Sequence, residues 1–239
     1  FTAAERLTRM PLRWLTQFLC RRASSVGYVT QTTLQRRYPA RPGTAVFAFS
    51  NVQLRDSDVV DEPDAVRVNR LPLRVLFCGS LEQMYKGLDV LIAAVAQLRA
   101  AHVGVRLRVV GQGRYRDALE RMATDAGIGG QVEFLGQLPR AGVLDEMKQA
   151  SLFVLPSRTE GLPRALIEAM ACGVPCIGSR VGGIVELLDE AAQVVAVARQ
   201  LRLGLRPPPA DAGDPAFPRK ISGNRARPDH RRPGTGADR

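Results

Sequence analysis

Short apolar segments alternate with amphipathic ones through the middle of the chain. The apolar segments have four to six residues and predict buried strands at 73–78, 105–110, 132–135, 152–155 and 176–179. Between them, apolar residues recur at three- and four-residue spacing, which is typical of helices that pack one face on a sheet. These helices are predicted at 87–101, 115–126 and 141–150, from Pro163 onward, and at 183–188.

This alternation predicts an α/β fold, with a parallel sheet flanked by helices on both faces. Ligands of such sheets collect at the carboxyl ends of the strands. Glycines follow several of the predicted strands, at Gly79, Gly111 and Gly136. We therefore expect any binding site to be built from the loops that follow the strands.

The N-terminal part of the chain follows a different pattern. Residues 1–25 predict a basic amphipathic helix or helix pair, which fits either a surface helix of a globular domain or a helix lying on an anionic membrane. A strand at 26–30, a helix at 31–38 and a strand at 46–49 follow. We divide the chain into an N-terminal remnant at 1–50, a linker at 51–72, a sheet domain at 73–198 and a disordered tail at 199–239.

The positive charge is concentrated at the two ends of the chain. Residues 1–72 carry 11 Lys/Arg and 6 Asp/Glu, residues 73–198 carry 13 of each, and residues 199–239 carry 10 and 4. A neutral sheet domain argues against a nucleic-acid partner. The tail combines nine arginines with seven prolines and few apolar residues, which favours disorder or an unrelated, frameshifted terminus.

The cysteines and the apolar runs point to an intracellular protein. Cys20, Cys78, Cys172 and Cys176 lack the spacing of a metal site, and we interpret them as reduced, mostly buried thiols. Asp56-Ser-Asp58 has the form of a metal-binding DxD motif, but its place in the linker favours a solvated acidic loop. No metal or other cofactor is expected. No run approaches the ~20 apolar residues of a membrane span, so we predict a cytoplasmic protein, with peripheral membrane association as an option.

The most informative stretch is Pro156-Ser-Arg-Thr-Glu-Gly-Leu-Pro-Arg-Ala-Leu-Ile-Glu-Ala-Met170. A predicted strand runs into a polar loop and then into a helix opened by Pro163, with Glu160 and Glu168 on either side of the helix start. Amide groups at a helix start bind anions, and carboxylates accept hydrogen bonds from hydroxyls. Phosphate plus polyol describes a nucleotide-sugar. Alternatively, Glu168 forms only an exposed pair with Arg164.

Three further loops are predicted to converge on the same ligand. Residues 79–86 place Lys86 at the predicted start of a helix, where a cation would bind a diphosphate. The alternative is that Lys86 is a solvated lysine without a ligand. Gly111 and Gly113 permit a close backbone approach to a ligand or simply a tight turn. Gly182 and Gly183 form either a fourth wall of the site or a flexible turn.

Residues 73–190 resemble the sugar-donor-binding C-terminal domain of GT-B glycosyltransferases of family 4. The resemblance rests on Phe77-Cys-Gly-Ser-Leu with Lys86-Gly87, Val109-Val-Gly-Gln-Gly113, Val132-Glu-Phe-Leu-Gly136, Leu155-Pro-Ser with Glu160-Gly-Leu-Pro and Glu168-Ala-Met-Ala-Cys-Gly-Val-Pro175, and Val181-Gly-Gly183. Residues 25–50 are similar to the end of the N-terminal, acceptor-binding domain. The resemblance implies metal-independent transfer, usually with retention, from a nucleoside diphosphate sugar to a saccharide or lipid-linked acceptor.

The resemblance also assigns roles to individual residues. Glu168 would bind the ribose, Glu160 the donor sugar, and Lys86 the β-phosphate as it leaves, so that Lys86 and Glu160 are the catalytic candidates. The remaining sugar-donor-binding candidates are main-chain groups and small side chains that surround these three. They are Gly79, Ser80, Gly111, Gly113, Gly136, Gly161, Leu162, Pro163 and Arg164.

Two departures from the family pattern modify these expectations. Members usually carry arginine where this chain has Ser80, and Arg158 is the candidate substitute as a second phosphate cation. Only about 72 residues, none of them histidine, precede the sheet domain, so we expect an incomplete chain that is inactive alone. A non-catalytic nucleotide-sugar-binding module and a nucleotide-sugar epimerase are the alternative functions.

Overall fold

A computed structural model describes residues 3–50, 52–60 and 71–188, which all belong to one compact unit. Some predicted segments lie outside the described residues: 61–70 of the linker, 189–198 at the end of the sheet domain, and the tail at 199–239. Inside the described ranges the predicted strands and helices are present, and their bounds differ from the predicted ones by a few residues at most.

The larger sheet has five parallel strands, and the structure confirms the predicted α/β fold. Its strands are β3 (Leu73–Cys78), β4 (Val105–Val110), β5 (Val132–Gly136), β6 (Leu152–Leu155) and β7 (Cys176–Gly178). Their order across the sheet is β5-β4-β3-β6-β7. The chain therefore adds β4 and then β5 on one side of β3, and afterwards adds β6 and then β7 on its other side. A crevice at the carboxyl ends of β3 and β6 follows from this reversal.

Five helices connect or follow these strands. They are α3 (Leu88–Ala100), α4 (Arg116–Asp125), α5 (Arg140–Gln149), α6 (Arg164–Ala171) and α7 (Ile184–Leu187). Each packs its apolar positions on the sheet, as Ile92 does from α3 and Leu166 from α6, both with no exposed surface. Phe77 on β3 and Phe153 on β6 are equally buried at the centre. Burial of side chains this large is the main source of stability in such a layered domain.

The N-terminal segment comprises α1 (Ala3–Arg22), β1 (Ser25–Tyr28), α2 (Thr33–Arg37) and β2 (Ala45–Ala48). Strands β1 and β2 pair in parallel and form a separate two-stranded sheet. An ordinary surface helix would bury its apolar positions, but Trp14 on α1 is 70% exposed, and Leu12, Leu15, Phe18 and Leu19 are also exposed. None of the described elements covers this apolar face of α1, and its interpretation as a surface helix or as a helix on a membrane stays a prediction.

Asp58 also differs from expectation. Residues Asp56–Asp58 form a 3₁₀ turn, and Asp58 is buried rather than solvated. Its carboxylate accepts hydrogen bonds from the Arg55 amide at 2.8 Å and from Arg140 Nη2 at 2.6 Å. The Arg140 guanidinium lowers the pKa of Asp58 from its ordinary value. The prediction of a solvated acidic loop missed this partner because it lies far away in the sequence.

The remaining expectations concern the burial of the four cysteines and the ability of a helix to span a membrane. Cys172 and Cys176 are buried, Cys20 and Cys78 are partly exposed, and no disulfide joins any of these four described residues. Burial raises the pKa of Cys176 to about 12, so this thiol stays protonated at neutral pH. Within the described ranges, no helix has both the length and the apolar character needed to cross a bilayer.

Candidate functional site

A cleft of about 480 Å³ opens at the carboxyl ends of β3 and β6. Six of the predicted site residues line it: Gly79, Ser80, Lys86, Pro163, Arg164 and Glu168. The loop after β3 supplies the first three, and the start of α6 supplies the others. The reversal in strand order thus brings together residues that are up to about 90 positions apart in the sequence.

Lys86 is the cation at the β3 side of the cleft. It ends a 3₁₀ turn, Met84–Lys86, and Gly87 follows with φ of +76°. A Cβ atom at Gly87 would lie 2.0 Å from the Pro156 carbonyl oxygen. Glycine is therefore required at position 87, because the turn must pass this close to the loop after β6. This close contact places Lys86 against that loop.

Lys86 and Glu160, the two predicted catalytic residues, form an ion pair. Lys86 Nζ lies 2.8 Å from Glu160 Oε1, and the two side chains are only 17% and 7% exposed. The same carboxylate oxygen accepts a hydrogen bond from Ser157 Oγ at 2.6 Å. Lys86 is thus not a solvated surface lysine. The pair holds an ammonium and a carboxylate side by side at the edge of the cleft.

The turn after β7 supports Glu160 through the main chain. The Gly183 amide donates a hydrogen bond to the Gly161 carbonyl at 2.5 Å. A Cβ atom at Gly182, which has φ of +53°, would lie 1.9 Å from the Glu160 carbonyl oxygen, and one at Gly183 would lie 2.8 Å from Leu162 Cδ1. The two glycines therefore form a tight backbone contact that fixes the 160–162 loop.

Glu168 faces the cleft from α6, which begins at Arg164 with Pro163 as its N-cap. The carboxylate is half-buried, and burial raises its pKa, while the nearby Arg140 and Arg164 act in the opposite direction. It is therefore more than an exposed partner of Arg164. A half-buried carboxylate beside two cations is suited to accept hydrogen bonds from ligand hydroxyls.

Arg140, Tyr85 and Cys78 also line the cleft, although none of the three was among the predicted site residues. Arg140 begins α5, and its Nη2 donates both to Asp58 and to the Gln53 carbonyl at 2.8 Å. The segment 53–58, which lies before β3 in the chain, thus holds a cation of the cleft in place. The Cys78 thiol has its pKa raised to about 11 by burial, so it is a neutral wall of the cleft.

Arg158, the candidate second phosphate cation, does not line the cleft and is paired with Asp89. Its Nη1 and Nη2 donate to the two Asp89 carboxylate oxygens at 2.9 and 2.6 Å, and Nη1 also donates to the Met84 carbonyl at 2.7 Å. A bidentate pair of this kind occupies the guanidinium fork. Arg158 instead joins the loop after β6 to α3, and the cations that line the cleft are Lys86, Arg140 and Arg164.

Gly111, Gly113 and Gly136 lie in a stack of loops behind the cleft. The Gly79 amide donates to Val110, and the Gly111 amide donates to Gly136 at 2.8 Å. Cβ atoms at Gly111 and Gly113 would lie within about 2 Å of the backbone at Gly79 and at 81–82. These glycines permit close contact between loops, in agreement with the alternative that they serve tight turns. Their contact with a ligand stays a prediction.

The remaining candidates, Glu160 and Gly161, line a second cavity that adjoins the cleft. Glu160 does not line the cleft itself, but its carboxylate is paired with Lys86, which does. Leu162 packs against the turn after β7. The predicted site residues therefore fall into three groups: the lining of the cleft, its boundary with the second cavity, and the supporting stack of loops.

Comparison with known proteins identifies the family to which the chain belongs. Residues 62–200, more than half of the chain, match the family described as "Glycosyl transferases group 1". A GDP-mannose-dependent monoacylated alpha-(1-6)-phosphatidylinositol monomannoside mannosyltransferase of Corynebacterium glutamicum is 38% identical over 128 residues, which cover 51% of this chain and 33% of that protein. A D-inositol 3-phosphate glycosyltransferase of Catenulispora acidiphila is 36% identical over 119 residues, which cover 46% and 28%.

Solved structures agree on the fold. HepE of Anabaena, crystallised in complex with UDP and glucose, matches with a TM-score of 0.59 and 25% identity over 79% of this chain and 53% of that one. Sucrose-phosphate synthase of Thermosynechococcus elongatus matches with a TM-score of 0.61 and 22% identity, over 80% and 51%. The chain matches about a third of the length of the two curated relatives quoted above. The fold, the cleft and the family match together show that this chain belongs to the group 1 glycosyltransferases.

Proposed function

We propose that the chain binds a nucleoside diphosphate sugar in the cleft and contributes to its transfer to a polysaccharide or glycolipid acceptor. The observation that carries the proposal is the arrangement of charges in the cleft. Three cations, Lys86, Arg140 and Arg164, line it together with Glu168. Phosphate oxygens bind to cations, and ribose hydroxyls donate to a carboxylate, so one nucleotide satisfies both kinds of group.

The Lys86–Glu160 pair supports a chemical role beyond binding. As the bond between the sugar and the diphosphate breaks, negative charge develops on the leaving phosphate oxygen. A partly buried ammonium beside that oxygen stabilises the charge more strongly than water does. Glu160, which is held by Ser157, would then orient the sugar hydroxyls. Transfer without a metal ion and with retention at the anomeric carbon belong to the same proposal.

The names of the relatives favour transfer over the alternatives. The two curated relatives quoted above are named as transferases that act on phosphatidylinositol mannoside and inositol phosphate acceptors. A nucleotide-sugar epimerase or a non-catalytic binding module would share the cleft but would not need an acceptor. We infer that the acceptor here is a saccharide or a lipid-linked sugar.

The exposed face of α1 supports peripheral association with the inner membrane face. Its apolar side chains are exposed beside Arg13, Arg21 and Arg22, as in helices that bind anionic lipid surfaces. Sedimentation with phosphatidylglycerol vesicles checks this part of the proposal. We expect Trp14→Ser to weaken binding and phosphatidylcholine vesicles to bind poorly, whereas equal binding by the variant would contradict it.

Calorimetry with UDP-glucose and GDP-mannose tests the sugar-donor site. We expect Glu168→Ala to weaken binding of the preferred sugar donor by at least about tenfold, because the ribose hydroxyls lose a charged acceptor. Glu120→Ala is the matched control, since Glu120 is an exposed carboxylate paired with Arg116 on α4. Unchanged affinity in Glu168→Ala, or an equal loss in the control, would refute the assignment of the cleft.

A further inference from the structure

Two carboxylates lie within reach of the same guanidinium group beside the cleft. Arg140 begins α5, Glu168 lies on α6, and both line the cleft. Asp58 lies in the segment before β3 and forms an ion pair with Arg140, with Nη2 and Oδ2 2.6 Å apart. Asp58 and Glu168 therefore compete for one cation, and the outcome decides which of the two carboxylates is free.

Arg140 is committed to the segment that carries Asp58. Its Nη2 atom donates to Asp58 Oδ2 at 2.6 Å and to the Gln53 carbonyl at 2.8 Å, which uses both hydrogens of that nitrogen. The side chain of Asp58 is 8% exposed, whereas that of Arg140 is 39% exposed. Because a buried carboxylate without a cation is costly, Asp58 is the preferred partner of Arg140.

The position of Asp58 is set by its main chain. The Arg55 amide donates to Asp58 Oδ2 at 2.8 Å, and the Asp58 amide donates to the Arg55 carbonyl at 2.9 Å. Two residues later, the Val60 amide donates to the Ala171 carbonyl at the end of α6, at 2.8 Å. The segment is thus fixed to the helix that carries Glu168, and it holds Arg140 from a defined point.

Glu168 has no such partner. Among the described residues, none donates a hydrogen bond to its carboxylate and none forms an ion pair with it. Burial raises its pKa, and Arg140 is the cation that opposes this most, followed by Arg164. Arg140 is therefore close enough to act on Glu168 but is bonded elsewhere. Arg164 precedes Glu168 by one helical turn, which is the less favourable order for an ion pair.

A free carboxylate is what the ribose of a nucleotide requires. Neighbouring ribose hydroxyls donate hydrogen bonds, and a carboxylate with two free oxygens accepts both of them. If Arg140 were paired with Glu168, the ligand would first have to break charge-assisted hydrogen bonds, and their loss would offset most of the gain. The neighbouring guanidinium thus threatens the acceptor unless another group holds it.

We propose that Asp58 is a positioning residue of the nucleotide site: by holding Arg140, it keeps both oxygens of Glu168 free to accept hydrogen bonds from ribose hydroxyls. Nε and Nη1 of Arg140 donate to none of the described residues and stay available to a phosphate. In the absence of the Asp58 charge, Arg140 turns to Glu168 and the site loses its preference for ribose. The inference rests on the proposed function.

Calorimetry of the 239-residue chain with paired nucleotides tests this role. The pairs are GDP and UDP, each with the analogue that lacks both ribose hydroxyls. We expect the wild-type chain to bind the complete nucleotide at least about tenfold more tightly than its analogue, and Asp58→Asn to reduce this ratio below about threefold. A purely structural role would weaken both ligands alike, so an unchanged ratio in Asp58→Asn would overturn the proposal.

A second substitution identifies the released guanidinium as the cause. Asp58→Asn combined with Arg140→Gln should regain the ratio of the wild-type chain, because no cation remains to pair with Glu168. Failure of this double variant to regain the ratio would overturn the proposal. Asp89→Asn is the matched control, since Asp89 is paired with Arg158 and neither residue lines the cleft. Its ratio should equal that of the wild-type chain, and a reduced ratio would also count against the proposal.

Carbon-13 NMR of the Glu168 carboxyl group provides a measurement that needs no ligand, with Glu168→Gln to assign the signal. In the wild-type chain the pKa of Glu168 should lie above the ordinary value of a glutamate. In Asp58→Asn it should fall, because a bonded guanidinium stabilises the ionised form. A wild-type pKa below the ordinary value would show that Glu168 is already paired, and would overturn the proposal even if Asp58→Asn failed to fold.

The outcomes separate this inference from the function on which it rests. Absence of nucleotide binding by the wild-type chain would refute the nucleotide site, and the role of Asp58 with it. Nucleotide binding with a ribose preference that is independent of Asp58 would refute the positioning role alone. Circular dichroism of each variant checks that the fold is retained.

Discussion

The two halves of the described structure use apolar residues in opposite ways. In the sheet domain, Phe153 on β6 has no exposed surface and lies under helices. In the N-terminal segment, Phe47 on β2 is 60% exposed, and Trp14 on α1 is 70% exposed. Five strands with helices on both faces enclose a core, whereas two strands cannot. The sheet domain therefore supplies its own stability, and the N-terminal segment depends on contacts with it.

The largest expected effect comes from removing one phenylalanine from each half. Phe153→Ala should lower the free energy of unfolding by about 3–5 kcal/mol, because it leaves a cavity in a packed core. Phe47→Ala should change it by less than about 0.5 kcal/mol, since the side chain is already in contact with water. Urea unfolding at neutral pH measures both values. A similar loss in the two variants would show that the N-terminal segment is packed as tightly as the core.

Two glycines with positive φ give a second matched pair. Gly87 has φ of +76° and would place a Cβ atom 2.0 Å from the Pro156 carbonyl oxygen, while Gly43 has φ of +84° and has open space around it. Gly43→Ala should cost only the backbone strain, about 1 kcal/mol. Gly87→Ala should cost about 2–3 kcal/mol, because the loop must also move. Urea unfolding gives both values, and equal costs would contradict the close contact at Gly87.

The Glu186 carboxylate on α7 accepts hydrogen bonds from the main-chain amides of Gln31, Thr32 and Thr33 and so clamps α2 to the sheet domain. Removing this clamp gives the smallest effect and tests the connection between the halves. Glu186→Gln removes the charge that accepts three main-chain hydrogen bonds, and should cost about 1 kcal/mol after solvent screening. The folded pKa of about 2 lies below the ordinary value of 4.5. The stabilisation is therefore present above about pH 4.5 and is lost as the pH falls toward 2.

The free energy of unfolding, measured from pH 7 down to pH 2, tests this predicted loss of stability at low pH. The wild-type chain should lose its advantage over Glu186→Gln between pH 4.5 and 2, and hydrogen exchange at residues 31–38 should be faster in the variant at pH 7. Glu120→Gln serves as the control, because its surface pair with Arg116 contributes less than about 0.5 kcal/mol. A constant difference between wild type and Glu186→Gln across this range would contradict the clamp.

The strand and helix bounds could be predicted because they depend on local patterns. Strand β3 begins at Leu73 and ends at Cys78 as predicted, since an apolar run there stops at a glycine. The family motifs likewise located Lys86 and Glu168, because each lies next to a strand end or a helix start. Local signals of this kind need no knowledge of the rest of the chain.

The pairing of charges could not be predicted in the same way. Asp58 contacts Arg140, Asp89 contacts Arg158, and Glu186 contacts residues 31–33, and each pair is separated by dozens of positions. Which charges meet depends on how the helices pack on the sheet, and composition alone does not specify this. The surroundings of α1 could not be predicted for a related reason, because an amphipathic pattern shows which face is apolar but not what covers it.

If the cleft binds a nucleoside diphosphate sugar as proposed, the ion pair between Lys86 and Glu160 favours the whole ligand over either of its parts. A bare diphosphate could draw Lys86 away, but it would leave a carboxylate that is only 7% exposed without its partner. A free sugar could hydrogen-bond to Glu160, but it would offer nothing to the ammonium. Only a molecule that carries phosphate and sugar hydroxyls at the right separation replaces both halves of the pair at once. Under the proposed function, discrimination against free nucleotides and free sugars would follow from two side chains that already form an ion pair with each other.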